Sequence, residues 1–158
     1  MLRLGKLRTP MTSPVEREPV IVPALRYRGL TWLYDFVIGP TTRERTVKAA
    51  IVTHARVEPG AQVLDVGAGT GSLGIMLKRY QPAAKVVGVD GDPQILAIAK
   101  RKGSAAAVDV TWVEAMAQRL PFERNMFDRV ITSLLLHHLD DAAKAAALAE
   151  MRRVLRPG

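Results

Sequence analysis

From residue 61 onwards the chain alternates between two hydrophobic patterns. Short, nearly continuous apolar runs at Ala61–Val66, Lys85–Asp90, Val108–Glu114 and Phe127–Ser133 are separated by stretches whose apolar positions recur at helical spacing. Strands covered on both faces read as such runs, and strands separated by helices build a parallel sheet of βαβ units with right-handed crossovers. The intervening helices are predicted over Ser72–Tyr80, from Pro93 to about Lys102, and over Asp140–Leu155, the last Ala-rich and closed by Pro157-Gly158. Upstream, Thr41-Thr42 can cap a helix from about Arg43 to Ala55, and Glu58-Pro59-Gly60 ends it with turn chemistry.

The first 26 residues break this rhythm. Pro10, Pro14, Pro19 and Pro23 leave no room for a long helix, and the basic start lacks the apolar core of a secretory signal. The expected organisation is a mobile N-terminal arm over residues 1–26 and one domain over 27–158, in the cytoplasm. Hydrophobic residues at 48% and charged residues at 24% are the mixture of a globular domain. The absence of cysteine excludes disulfides, thiol nucleophiles and Cys-based metal sites. No apolar run is long enough to span a bilayer. The net charge of +8 raises nucleic acid as a partner, but aromatics at 5% supply few stacking platforms, so none is expected.

The candidate chemistry centres on VLDVGAGTGS, residues 63–72. Glycines at 67, 69 and 71 stand where the first strand must turn into a helix, so that a ligand can approach backbone N–H groups left unpaired at the helix start. A dinucleotide fingerprint needs its third glycine at position 72, which is Ser72; here Gly71 comes one residue early. Asp65, two residues before the first glycine, would repel a pyrophosphate and suits a cationic ligand. Asp90 ends the second strand, where a carboxylate can accept both hydroxyls of a ribose; Asp92 is better placed to cap the helix that follows. His137 and His138 follow the fourth strand, and His138 is the candidate for substrate contact or proton transfer. Two adjacent histidines do not make a metal site, and no metal is expected.

The segments VLDVGAGTGSLG (63–74), VVGVDGDPQIL (86–96), VEAMAQRLPF (113–122), FDRVITSLLLHHL (127–139) and EMRRVLRPG (150–158) together resemble the class I S-adenosylmethionine-dependent methyltransferases. The resemblance runs from about Tyr27 to Gly158 and is closest to the small bacterial branch that includes the ubiquinone and menaquinone biosynthesis enzymes. It implies an α/β fold, a partial doubly wound, Rossmann-like parallel sheet of strand order 3-2-1-4 with helices on both faces. It implies S-adenosyl-L-methionine as cofactor and methyl transfer to a small-molecule acceptor that the residues do not identify. By the same resemblance, Asp65 and the backbone around Gly67 and Gly69 would hold the methionine part, with Ala68 and Gly71 also cofactor-binding. Asp90 would take the ribose hydroxyls, Gly91 and Asp92 would flank the adenosine, and Met116 and Ala117 would border the adenine. Ser133 and Leu134 would lie below the sulfonium, and Tyr34, beside Trp32, would close over the cofactor.

The chain also departs from that family. Many relatives carry Asp at the position of Met116, so adenine recognition would rest on packing, with Gln118 as a further polar contact. The sequence stops where relatives usually continue into a fifth strand. This raises a second reading, a module that binds the cofactor without turnover. It also leaves the outer edge of the fourth strand uncovered, and an apolar edge invites pairing. The expected cover is a second copy, giving a homodimer, or the arm at Val20-Ile21-Val22. Lys100-Arg101-Lys102, Arg152-Arg153 and Arg156 are expected to be solvated helix ends.

Overall fold

The computed structural model of the chain describes residues 42–158, with side chains from residue 45 onwards. The N-terminal arm, Trp32 and Tyr34 lie outside the described residues. In chain order the elements are α1 (Thr42–His54), β1 (Gln62–Val66), α2 (Ser72–Tyr80), β2 (Lys85–Asp90), α3 (Pro93–Ala105), β3 (Val110–Glu114), β4 (Arg129–Thr132) and α4 (Asp141–Val154). A single 3-10 turn, Leu136–His138, follows β4. The four strands form one sheet in the order β3-β2-β1-β4, and all neighbours are parallel.

Alternation along β1 divides the core. Leu64 and Val66 face a cluster with Phe127, Ala147, Met151 and Val154, which places α4 on that side. Val63 faces Val52, Leu73 and Leu77, which places α1 and α2 on the other. Helices therefore cover both faces, as expected of strands apolar on both sides. Side-chain caps fix two helix starts. Asp92 accepts from the Gln94 N–H at 2.8 Å beneath α3, and Asp140 accepts from the Ala143 N–H at 2.8 Å beneath α4.

Three boundaries differ from the sequence pattern by two residues or more. The third helix runs on to Ala105, through Gly103, which lies buried beside Trp112 of β3. β3 begins at Val110 because Ala107 adopts a left-handed φ of 51° and the Val108 N–H returns to the Gly103 carbonyl at 3.2 Å. The fourth strand begins at Arg129 because Phe127 turns to another partner: it forms a parallel bridge with Leu155, in which the Arg156 N–H donates to the Phe127 carbonyl at 2.9 Å. Along Arg129–Thr132 itself, the described residues supply β1 as a partner on one side.

Of the arginines expected to be solvated, Arg152 is exposed, whereas Arg153 and Arg156 are engaged in ion pairs. Arg153 pairs with Glu150 at 2.6 Å and donates to the carbonyls of Phe122 and Leu120, at 2.8 and 3.0 Å. Its guanidinium pulls the Glu150 carboxyl down to about 2. Arg156 pairs with Asp128 at 2.6 Å. Both tie the C-terminal end of α4 and the residues after it to the connection between β3 and β4. Among the described residues, no helix is long and apolar enough to cross a membrane.

Candidate functional site

Because all four strands run the same way, the segments leaving their C-terminal ends gather along one edge of the sheet. These are residues 67–71, 90–92, 115–118 and 133–138. The chain reverses direction of travel between β1 and β4, and open parallel sheets bind ligands in the crevice at such a point.

The glycine loop is held by backbone bonds. The N–H groups of Gly67 and Ala68 both donate to the Val89 carbonyl, at 2.8 and 2.9 Å, and the Gly69 N–H donates to Asp90 Oδ2 at 2.9 Å. The glycines divide their roles. Gly69 has φ +55°, and a Cβ there would meet nothing within 4 Å, so this stretch of backbone borders open space. Gly71, φ +80°, is buried, and a Cβ there would strike the Trp112 ring and Ala99. It therefore serves helix–sheet packing. A Cβ on Gly67 would lie 2.8 Å from that of Leu135, so the segment after β4 closes over the end of β1.

Asp65 is 1% exposed, and its Oδ2 has no hydrogen-bond partner. Burial pushes its carboxyl up to about 7. The Lys48 charge and the Gly74 N–H oppose that rise, and the Asp90 charge adds to it. Asp90 is half-buried and pre-set: Oδ2 accepts from Gly69 and Oδ1 from the Asp92 N–H at 3.0 Å, which leaves each oxygen a further lone pair.

Beyond β3, the Ala115 N–H donates to the Asp90 carbonyl at 3.1 Å and brings this segment beside the aspartate. Met116 is 58% exposed, with its sulfur over Gly91, whereas the Ala117 side chain turns into the core. Gln118 Oε1 is buried without a partner. Beyond β4, Ser133 is half-buried. Leu134 is 62% exposed at φ +63°, a conformation costly for a bulky residue. The rings of His137 and His138 lie 3.8 Å apart. Burial, and then the neighbouring His137, lower the His138 pKa. Among the described residues, no three metal-ligating side chains cluster. A cavity lined by Arg124, Arg152 and Arg156 lies elsewhere and contains none of the residues at this edge.

Two residues of this region escape a reading of the motif alone. Trp112 lies against the positions of Gly71, Gly74, Gly88 and Gly103, and four glycines dispersed over two helices, a strand and a loop are its only trace in the sequence. Lys102, expected to be solvated, instead donates to Thr70 Oγ1 and Ser72 Oγ, each at 2.9 Å.

Residues 63–158 match the family model described as a methyltransferase domain. The demethylmenaquinone methyltransferase of Thermus thermophilus is 39% identical over 135 residues, covering 85% of this chain and 58% of that protein. The ubiquinone/menaquinone biosynthesis C-methyltransferase UbiE of Desulfotalea psychrophila is 40% identical over 102 residues, covering 64% of this chain and 40% of that one. The chain thus spans about half the length of these relatives. Among solved structures, the PH0226 protein of Pyrococcus horikoshii superimposes with a TM-score of 0.68 at 25% identity, covering 83% of this chain and 60% of that one. The match extends over most of the sheet and over every segment gathered at its C-terminal edge, and on it the chain belongs to the class I S-adenosylmethionine-dependent methyltransferases.

Proposed function

We propose that this chain binds S-adenosylmethionine and directs its methyl group to a small, largely apolar acceptor. The observation that carries this reading is the buried Asp65 carboxyl with an unpartnered Oδ2, on the strand next to the pre-set carboxylate of Asp90. A buried carboxylate needs a cationic or donor partner, and a nucleoside that carries an amino-acid ammonium offers both a cation and a ribose diol. The residues present fit that cofactor. Asp65 would hold the ammonium and Asp90 the diol. The open backbone at Gly69 would admit the methionine part, and Gln118 Oε1 would accept from the adenine amine beside Met116.

When bound, the cofactor supplies a methyl group already activated by its sulfonium. The protein then has to align an acceptor and keep water away. The exposed side chains of Met116 and Leu134 flank the edge and favour an apolar acceptor. Of the two relatives described above, one is named a demethylmenaquinone methyltransferase and the other a ubiquinone/menaquinone biosynthesis C-methyltransferase, which supports a quinol-like ring as that acceptor. His138, in the turn that follows β4, would take the proton that the acceptor gives up. The outer edge of β4 would receive a second copy, which sedimentation velocity at rising concentration would detect as added mass.

The test is calorimetric titration with S-adenosylmethionine, its demethylated product and NAD, run beside transfer of labelled methyl into a demethylated naphthoquinol. Both forms of the methyl donor should bind and NAD should not. NAD binding more tightly than either would sink the reading. Binding without transfer into that quinol or into a metabolite extract would select the module without turnover.

A further inference from the structure

The glycine loop has little to hold it on its outer side. Gly69 contacts nothing through a side chain, and Gly71, the residue that precedes α2, offers no side-chain cap. Two hydroxyls flank Gly71, those of Thr70 and Ser72, and both accept from one ammonium, Lys102 Nζ. Lys102 lies in the last turn of α3, thirty residues beyond Ser72, and is half-buried. A cation there does nothing for the start of α2, whose dipole favours negative charge. Its geometry instead ties three pieces together: α3, the loop between β1 and α2, and the first residue of α2. On its inner side the same loop is held by Asp90 through the Gly69 N–H.

We propose that Lys102 is a positioning residue for the cofactor loop. It clamps Thr70 and Ser72 from α3, so that Gly69 stays on Asp90 and the backbone is pre-set before the cofactor arrives. The inference rests on the cofactor assignment above. Charge-assisted hydrogen bonds are the stronger kind, and two from one ammonium restrict a glycine-rich segment whose freedom must otherwise be lost on binding.

The experiment compares Lys102→Met, Lys102→Arg and the double variant Thr70→Val/Ser72→Ala with the unaltered chain. Lys100→Met, an exposed lysine of the same helix, serves as the control. Two quantities are read: the dissociation constant for S-adenosylmethionine by calorimetry, and amide hydrogen exchange of residues 68–72 without cofactor. Lys102→Met should weaken binding about tenfold and speed exchange in the loop, with the midpoint of thermal unfolding little changed. Thr70→Val/Ser72→Ala should reproduce both effects, and adding Lys102→Met to it should change nothing more. Lys102→Arg should recover part of the affinity. Unchanged affinity and exchange in Lys102→Met, or a full loss when Lys102→Met is added to the hydroxyl-free background, would overturn the clamp. If Lys102→Met does not fold, the hydroxyl-free double variant decides alone: native affinity in it refutes the proposal. Failure of the unaltered chain to bind S-adenosylmethionine would instead remove the cofactor assignment itself.

Discussion

Asp65 and Asp90 both lie in apolar strands, yet their surroundings give them different work. Asp90 sits at a strand end, half-buried, and already accepts from two backbone N–H groups. Asp65, one strand over, is shut beneath the first turn of α2, where its Oδ2 lies 3.7 Å from the position a Cβ on Gly74 would take. Replacing Asp90 therefore frees Gly69 and removes the acceptors proposed for the ribose. Asp90→Ala should weaken S-adenosylmethionine binding by about 1.5–3 kcal/mol, the scale of hydrogen bonds to a charged acceptor, while the domain stays folded. An unchanged dissociation constant would remove Asp90 from the site. Both aspartates were legible in the sequence, because a carboxylate among apolar strand residues stands out. The burial of Asp65 was not, since it depends on how closely a glycine of the next helix lets the backbone approach. Lys102 was misread for a related reason: helix-end lysines are usually solvated, and its partners lie thirty and thirty-two residues away.

At the scale of elements, a single ring organises the face that carries α2 and α3. A Cβ on Gly88 of β2 would stand 2.5 Å from Trp112 Cζ3, 2.6 Å from Cε3 and 3.2 Å from the Ala68 Cβ. The ring has no room to retreat, because it also lies against Gly71 and Gly103. Gly88→Ala should thus destabilise the domain by about 1–3 kcal/mol, the usual range for overpacking. In a Trp112→Val background most of that cost should vanish. Chemical unfolding of the four combinations measures the coupling, and equal costs in both backgrounds would show that the ring is not the obstacle. The order of elements followed directly from hydrophobic period, and β2 and α2 have the limits that the pattern suggests. What local pattern could not give was the shortening of β4. Phe127 belongs to the same apolar run, but its bridge to Leu155 is set by a residue 28 positions on. The lid proposed around Trp32 and Tyr34 lies outside the described residues.

For the molecule as a whole, buried and paired carboxylates pull stability in opposite directions with pH. Glu150, drawn down to about 2 by Arg153, and Asp128, lowered first by the Gln62 N–H and then by Arg156, stabilise the fold when ionised. Their contribution is lost as pH falls through their folded pKa values. Asp65 acts the other way. Its folded pKa of about 7 lies above the ordinary 3.8, so between these values the folded chain holds a proton that the unfolded chain has released. Stability from that proton is fully present below 3.8 and is lost as pH rises towards 7, at up to about 1.4 kcal/mol per pH unit. Lys48 and the Gly74 N–H oppose this loss, and Asp90 deepens it. The cofactor-free protein should therefore lose resistance to urea between about pH 5 and 7, where Glu150 and Asp128 are already ionised. Asp65→Asn should remove that slope. Saturating S-adenosylmethionine should also flatten it in the unaltered chain, because the proposed pairing of its ammonium with the ionised carboxylate would favour the deprotonated form. The same coupling requires affinity for S-adenosylmethionine to rise with pH across this window, and the rise should be absent in Asp65→Asn. Urea midpoints that run parallel for the unaltered and Asp65→Asn chains from pH 5 to 8 would show that Asp65 carries no such proton.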